Sequence, residues 1–291
     1  FGVWHELHGE CGLAGGDGVR RRADMLAVEE PLEIRIGDTP LTVTMRTPGH
    51  DVELAAGFMV SEGVITDAAQ FRSAIHCTGP GIEENTYNVL SVTLSPEAVV
   101  PDLSLQRNFY TTSSCGVCGK ASIEAIETVS RFDVSADPVI VEAELLVDLP
   151  GVLREHQDIF DKTGGLHAAG LFDAQTGELL VLREDVGRHN AVDKVVGWAT
   201  LNGKLPLRGM ILQVSGRASF ELVQKAVMAG IPVLSAVSAP SSLAVELAAS
   251  SGLTLVGFLR DARMNVYSRP DRIHLGQVAV MTPALTKGRH A

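Results

Sequence analysis

The last third of the chain alternates short apolar segments with amphipathic ones, and this alternation is the strongest constraint on its fold. The apolar segments lie at 210–214, 231–237 and 253–259. The amphipathic segments between them have helical spacing and end at Gly230 and Gly252. Short, continuously apolar strands separated by helices are typical of a mainly parallel sheet with helices on both faces. The sequence therefore predicts a three-layer α/β/α domain in this part of the chain.

The segment in front of these strands predicts the rest of the same domain. A helix is predicted over 142–161, and a hairpin follows with strands at 168–172 and 178–183. A second helix is predicted over 190–200. We therefore assign residues 111–285 to one C-terminal domain that begins with a Cys-x-x-Cys loop.

The N-terminal part predicts a smaller α+β unit. Apolar residues alternate over 32–45 on both sides of a Gly-Asp turn, which predicts a β-hairpin. A helix is predicted to begin at Asp51 and a further strand at 88–94, so we assign residues 23–110 to an N-terminal α+β domain. Residues 1–22 contain six glycines and no hydrophobic period, and we expect them to form an irregular leader.

Length and charge narrow the possible classes of function. The chain of 291 residues is long enough for two domains, and its net charge is −11 with only 2 Trp, 3 Tyr and 9 Phe. A basic surface interleaved with stacking rings is not expected in such a chain, so nucleic acid is not an expected partner. An anionic ligand would have to be bound by a local basic pocket.

Cysteine content and hydropathy predict the compartment. Four cysteines are too few for a disulfide-stapled secreted scaffold, which favours a reducing compartment. The least charged stretch, 230–259, is interrupted by Pro232, Pro240 and several serines, so it contains no run of 18 apolar residues. We expect a cytoplasmic protein that does not interact with membranes.

Candidate binding residues follow the predicted parallel strands. In an α/β sheet, ligands bind beyond the carboxyl ends of the strands, where loops lead into helices. Ser hydroxyls, free N–H groups and arginines in such loops can bind an anion, although single serines there are often helix caps and single arginines are often solvated. The loop residues are Ser215, Gly216 and Arg217, then 238–242, then Arg260, Asp261, Ala262 and Arg263.

A second group of polar residues lies between the predicted hairpin and the helix after it. Arg188 and His189 belong to a dense polar run over 183–190, and His167 lies at the start of a predicted strand. A single histidine is more often structural than functional, so a binding role for His167 depends on its neighbours. We include all three residues in the candidate site.

The Cys115-x-x-Cys118 motif is the clearest chemical signal in the sequence. It lies in a polar, Gly-containing segment in front of a predicted helix, and both the helix N-terminus and Lys120 would favour a thiolate. Three interpretations remain open here: half of a zinc site, a thioredoxin-like redox pair, or a sulfur-carrying cysteine. No second Cys-x-x-Cys exists to complete a zinc site, so we expect no structural zinc.

Several motifs together resemble the formate dehydrogenase accessory sulfurtransferase family, often called FdhD, over residues 30–272. Taken together they are far more specific than any one of them. They are Pro48-Gly49-His50-Asp51, Ser114-Cys115-Gly116-Val117-Cys118-Gly119, Gly164-Gly165-Leu166-His167, Asp185-Val186-Gly187-Arg188-His189-Asn190-Ala191-Val192-Asp193-Lys194 and Ser215-Gly216-Arg217.

The resemblance implies a sulfur carrier. Such a protein accepts sulfur as a persulfide from a cysteine desulfurase and passes it to the molybdenum of the bis(molybdopterin guanine dinucleotide) cofactor, which is then inserted into formate dehydrogenase. It also implies a homodimer and a C-terminal domain that is similar to the cytidine deaminase fold without the catalytic zinc. A guanine nucleotide would occupy the same site as the cofactor.

The resemblance also implies roles for individual residues. Cys115 corresponds to the cysteine that holds the persulfide, and Cys118 to the second cysteine of the motif. The cofactor-binding stretch of the family corresponds to Phe258, Leu259, Arg260, Asp261, Ala262 and Arg263. A thiol–disulfide oxidoreductase and a non-catalytic chaperone for the cofactor are the alternative functions.

Overall fold

The computed structural model describes residues 4–12, 19–77, 87–98, 130–276 and 280–281. Its fold class is mixed α/β, as the sequence predicted.

A two-stranded ribbon replaces the irregular leader that the sequence predicted. Strands β1 (Trp4–Gly12) and β2 (Val19–Ala27) pair antiparallel along their whole length. A ribbon of this kind is held by backbone hydrogen bonds and belongs to neither larger sheet. Its strands do not need an apolar period, and hydrophobic periodicity therefore gives no signal for them.

A four-stranded sheet and one helix form the N-terminal unit. The strand order is β4-β3-β6-β5, and the predicted hairpin and the predicted helix are both present. Strand β5 has partly exposed residues on both faces, which explains why it lacks a clear alternating pattern. The elements are β3 (Glu30–Ile36), β4 (Thr39–Arg46), α1 (Asp51–Ser61), β5 (Phe71–His76) and β6 (Val89–Leu94).

A seven-stranded sheet forms the centre of the C-terminal unit. Its strand order is β15-β13-β12-β11-β10-β8-β9, while β7 and β14 pair separately. The strands are β7 (Val141–Glu142), β8 (His167–Asp173), β9 (Leu179–Asp185), β10 (Met210–Val214), β11 (Val233–Ala236), β12 (Thr254–Arg260), β13 (Arg263–Ser268), β14 (Ile273–His274) and β15 (Val280–Met281). The helices are α2 (Ala143–Glu155), α3 (Asp158–Thr163), α4 (Arg188–Leu201), α5 (Phe220–Met228) and α6 (Ser242–Ser251).

The sheet mixes parallel pairs, at its centre and between β13 and β15, with antiparallel pairs. Strands β10, β11 and β12 are parallel as predicted, but β8 pairs antiparallel with β10, and β13 pairs antiparallel with β12. Two hairpins, β8–β9 and β12–β13, introduce these reversals, so the sheet is mixed rather than mainly parallel. Helix α2 packs on one face, and α4, α5 and α6 pack on the other, which gives the three predicted layers.

The helix predicted over 142–161 is two helices, α2 and α3. The carboxylate of Glu184 on β9 accepts hydrogen bonds from the N–H groups of Ile159 (3.0 Å) and Phe160 (2.8 Å). This carboxylate caps the free N–H groups of α3 and allows a new helix to begin there. The cap comes from a residue distant in sequence, so local pattern analysis could not identify the break.

The two units are joined by direct contact between the backbones of α1 and α4. A Cβ atom built on Gly57 would lie 1.8 Å from the carbonyl oxygen of Asp193. A Cβ atom built on Gly197 would lie 1.7 Å from the carbonyl oxygen of Glu53. Glycine is therefore required at both positions, and one hydrophobic cluster runs through both units.

Two buried ion pairs strengthen the same junction. Lys194 Nζ lies 2.7 Å from Asp185 Oδ2 and donates a hydrogen bond to the carbonyl oxygen of Thr47 (2.9 Å). Lys225 Nζ lies 2.8 Å from Asp193, which also accepts a hydrogen bond from Ser61 Oγ. Burying a charge without a partner costs free energy. Each ion pair therefore favours the packing that keeps its two residues together.

A third ion pair joins α1 to β9. The guanidinium of Arg183 donates two hydrogen bonds, of 2.6 and 2.8 Å, to the carboxylate of Glu53. Burial alone would raise the pKa of Glu53, but the hydrogen bonds from Arg183 and His50 lower it to about 2.

We expect Gly197→Ala to lower the free energy of unfolding by at least about 2 kcal/mol, because the new methyl group would collide with the backbone of α1. Urea unfolding measures this change. Gly151→Ala is the matched control, since Gly151 lies in α2 with open space around it, and this variant should be neutral or slightly more stable. Equal effects of the two substitutions would contradict the close helix contact.

Glu53→Gln should lower the free energy of unfolding at pH 7, and its difference from wild type should shrink as the pH falls. The folded pKa of about 2 lies below the ordinary value of 4.5. The ion pair therefore contributes fully above about pH 4.5 and is lost as the pH falls towards 2. Urea unfolding at pH 7, 5 and 3 tests this, and a difference independent of pH would show that the charge of Glu53 is not responsible.

Candidate functional site

The three predicted loops meet at the carboxyl edge of the sheet, which we define as loops 215–219, 238–241 and 258–263. The N–H of Ser238 donates a hydrogen bond to the carbonyl oxygen of Gly216 (3.3 Å), and the N–H of Phe258 donates one to Ser238 (3.2 Å). Hydrogen bonds between the loops therefore fix their positions relative to one another. The sequence prediction that they lie together is correct.

His167 lies at the same edge, because β8 runs antiparallel to β10 and begins where β10 ends. It pairs in register with Asp185, and a Cβ atom on Gly216 would lie 3.4 Å from its Nδ1. Burial and the neighbouring Arg188 guanidinium lower the pKa of His167 below its usual range. The edge thus contains a half-buried imidazole that is neutral at pH 7.

Arg188 and His189 form the first turn of α4 and also belong to this edge. Helix α4 has Gly187 at its N-cap and therefore no side-chain cap, and the buried Nε of Arg188 has no hydrogen-bond partner among the described residues. An uncapped helix N-terminus and an arginine with an unused donor both suit an anionic ligand.

His189 connects α4 to the first turn of α5. Its Nε2 lies 3.3 Å from Ser219 Oγ and 3.6 Å from Glu221 Oε2. The His189 ring and the Ser219 hydroxyl lower the pKa of Glu221 to about 2, so this carboxylate is charged throughout the physiological range. Ser219 makes no side-chain cap to α5, so its hydroxyl remains available to His189.

The predicted arginines are exposed at the edge. Arg217 lies in the loop after β10, and Arg260 and Arg263 lie on either side of the β12–β13 turn. In this turn Asp261 (φ 52°) and Ala262 (φ 57°) both have left-handed backbone. Three guanidinium groups with exposed side chains are thus available in a chain that is acidic overall.

Two residues of the predicted stretch 258–263 have different environments. The side chain of Leu259 is fully buried in the hydrophobic cluster below α2, so it is not presented to a ligand. Phe258 is partly exposed and has left-handed backbone (φ 52°). The stretch therefore contains one core side chain among exposed or partly exposed ones.

Two of the predicted loop serines have structural roles. The hydroxyl of Ser215 accepts a hydrogen bond from the N–H of Ala168 (2.9 Å), and the hydroxyl of Ser241 accepts one from Ala244 and caps α6. Their hydroxyl oxygens support the loops, which corresponds to the helix-cap interpretation of such serines.

The polar residues at the end of β9 and at the start of α4 fall into two groups, one buried and structural and one at the edge. Asp185, Asn190 and Lys194 are buried and bind one another or the end of β4, whereas Arg188 and His189 lie at the edge. Sequence reasoning missed Glu221, since an acidic residue in the first turn of a helix is ordinarily explained by the helix dipole.

Cys115 and Cys118 lie outside the described residues. Within the described ranges, no group of three or more His, Cys, Asp or Glu side chains could hold a metal ion. None of the helices in these ranges is both long enough and apolar enough to cross a membrane.

Comparisons with known proteins agree with the resemblance seen in the sequence. The chain is 60% identical over 263 residues to the sulfur carrier protein FdhD of Streptomyces avermitilis, covering 90% of this chain and 93% of that protein. It is 58% identical over 262 residues to the sulfur carrier protein FdhD of Mycobacterium tuberculosis, covering 88% and 94%.

The fold is also similar to that of a solved structure, a protein from Desulfotalea psychrophila assigned as a formate dehydrogenase accessory protein. The TM-score is 0.74 at 25% identity, covering 94% of this chain and all of the other. The profile of the FdhD/NarQ family matches residues 27–274, which include all the motifs found in the sequence. This chain belongs to the FdhD/NarQ family.

Proposed function

We propose that this protein is a sulfur carrier that takes persulfide sulfur from a cysteine desulfurase and delivers it to bis(molybdopterin guanine dinucleotide) for formate dehydrogenase. The principal support is the 60% identity to a sulfur carrier protein across nine-tenths of the chain. The proposal includes a cytoplasmic location and a homodimer.

Cys115 is the proposed sulfur-carrying residue. Its thiolate attacks the outer sulfur of the donor's persulfide, a new S–S bond forms on Cys115, and the donor cysteine leaves as a thiolate. On delivery the acceptor supplies the electron pair that bonds the outer sulfur, the S–S bond breaks, and Cys115 leaves as a thiolate with the electrons of that bond. Cys118 would protect the persulfide by exchange between the two thiols.

The carboxyl edge is the proposed binding site for the guanine dinucleotide. Its pyrophosphate is anionic, and the edge combines the first turn of α4 with Arg188, Arg217, Arg260 and Arg263. Because the whole chain carries a net negative charge, these arginines are a local concentration of positive charge and not part of a generally basic surface.

The length of chain after the cysteines is compatible with a thiol at this edge. Ser130 donates a hydrogen bond to the carbonyl oxygen of Val227 (3.4 Å), at the end of α5 that lies opposite the carboxyl edge. The 11 residues 119–129 separate Cys118 from Ser130, and a chain of that length can span up to roughly 36 Å. Strands of five residues span about 17 Å, so Cys118 would be able to reach the edge from Ser130.

We expect Cys115→Ala to abolish sulfur loading and Cys118→Ala to reduce it only partly, because only Cys115 forms the persulfide. Mass spectrometry after incubation with a cysteine desulfurase and cysteine measures one added sulfur on the wild type. Loss of two hydrogens would instead indicate a thiol–disulfide oxidoreductase, and no change would indicate a chaperone. Full loading of Cys115→Ala would contradict the mechanism.

Guanosine diphosphate should bind the wild type more tightly than adenosine diphosphate, because base-edge hydrogen bonds rather than charge discriminate the two bases. Arg263→Ala should weaken guanosine diphosphate binding by roughly 10- to 100-fold, since a charge-assisted hydrogen bond contributes about 1.5–3 kcal/mol. Calorimetric titration measures both effects. Arg72→Ala is the control, because Arg72 is exposed on β5 of the other sheet. Unchanged affinity in Arg263→Ala would refute this position for the site.

A further inference from the structure

The ring of His189 is held from one side only. Its Nε2 contacts Ser219 Oγ at 3.3 Å and Glu221 Oε2 at 3.6 Å, while its Nδ1 has no hydrogen-bond partner among the described residues. The two helices that bring these groups together, α4 and α5, both begin at the carboxyl edge. One nitrogen of the ring is therefore fixed by the protein, and the other is left for a ligand.

We propose that Glu221 is a positioning residue for the anionic ligand of the carboxyl edge. Together with Ser219 it holds Nε2 of His189, and its negative charge favours the imidazolium form of the ring, whose second N–H, on Nδ1, donates a hydrogen bond to the pyrophosphate group. This inference rests on the proposed function, because it concerns the ligand that the edge is proposed to bind.

The chemistry of an imidazole supports this arrangement. A ring fixed at one nitrogen loses less conformational freedom when the other nitrogen binds a ligand, and a carboxylate beside the fixed nitrogen favours the imidazolium, which donates from both nitrogens. Besides the three exposed arginines of the edge, Arg188 and Asp185 act electrostatically on His167, and Glu221 on α5 is paired with His189. Glu221 is the acidic group in direct contact with His189.

The sign of the effect separates positioning from simple charge. A carboxylate near an anion site repels the anion, so removal of its charge alone would tighten binding of an anionic ligand. If Glu221 acts through His189, its removal must instead weaken binding. The two explanations therefore predict opposite changes in affinity.

The test is calorimetric titration of the full chain with guanosine diphosphate and, in parallel, inorganic pyrophosphate. We expect Glu221→Gln to weaken binding of both probes by roughly 3- to 10-fold, the range for loss of one oriented hydrogen bond. Glu246→Gln on α6 is the matched control, because Glu246 is an exposed glutamate on the neighbouring helix. This control should bind as tightly as the wild type or slightly more tightly.

Three further measurements separate positioning from a folding defect. In the His189→Ala background, Glu221→Gln should cause no additional loss, because the residue acts only through the ring. Glu221→Asp, which keeps the carboxylate, should restore part of the affinity. In wild-type protein labelled with ¹⁵N-histidine, pyrophosphate should shift the Nδ1 resonance of His189 more than its Nε2 resonance.

The results of these titrations test the role of Glu221 and the proposed ligand site separately. Unchanged or tighter binding by Glu221→Gln, or an equal loss in the His189→Ala background, overturns the positioning role and leaves the proposed function intact. If the wild type binds neither probe, the proposed ligand site is wrong and the role of Glu221 is wrong with it. Sulfur loading on Cys115 is measured separately, so that result would not by itself refute a sulfur carrier.

Discussion

The contact between α1 and α4 is the constraint on which the rest of the structure depends. Gly57 and Gly197 allow the two helix backbones to touch, and no larger residue fits at either position. Helix α4 also carries Asp193 and Lys194, whose ion pairs reach α5 and the end of β9. Because Arg188 and His189 begin the same helix, the contact that joins the two units also positions one side of the candidate site.

The sequence predicted the strands and helices whose burial produces a regular pattern of apolar residues. The central strands β10, β11 and β12 are mostly apolar because both of their faces are covered, and each helix between them ends near a glycine. Two buried polar exceptions, Gln213 and Ser235, hydrogen-bond to each other. The ribbon β1–β2, the strand β5 and the break between α2 and α3 gave no such pattern. Their positions depend on backbone pairing or on a distant residue such as Glu184.

The sequence predicted where the candidate site lies, but it predicted the roles of only some of the side chains in that site. Strand order brings the loops after β10, β11 and β12 to one edge, so their residues could be identified from the sequence. The roles of single side chains depend on neighbours that are distant in sequence. Ser215 supports β8 and Leu259 fills the core, whereas Glu221 gains its contact with His189 only when α4 and α5 meet.

The hydrophobic cluster shared by both units also determines what would happen if the chain were cut. Residues on either side of the segment 99–129 contribute to this cluster, among them Leu54 before it and Val192 after it. Neither fragment of a chain cleaved within that segment could bury its share of the cluster alone. Association of the two fragments would restore the buried surface, so the nicked protein should remain a single noncovalent particle and not separate into two domains.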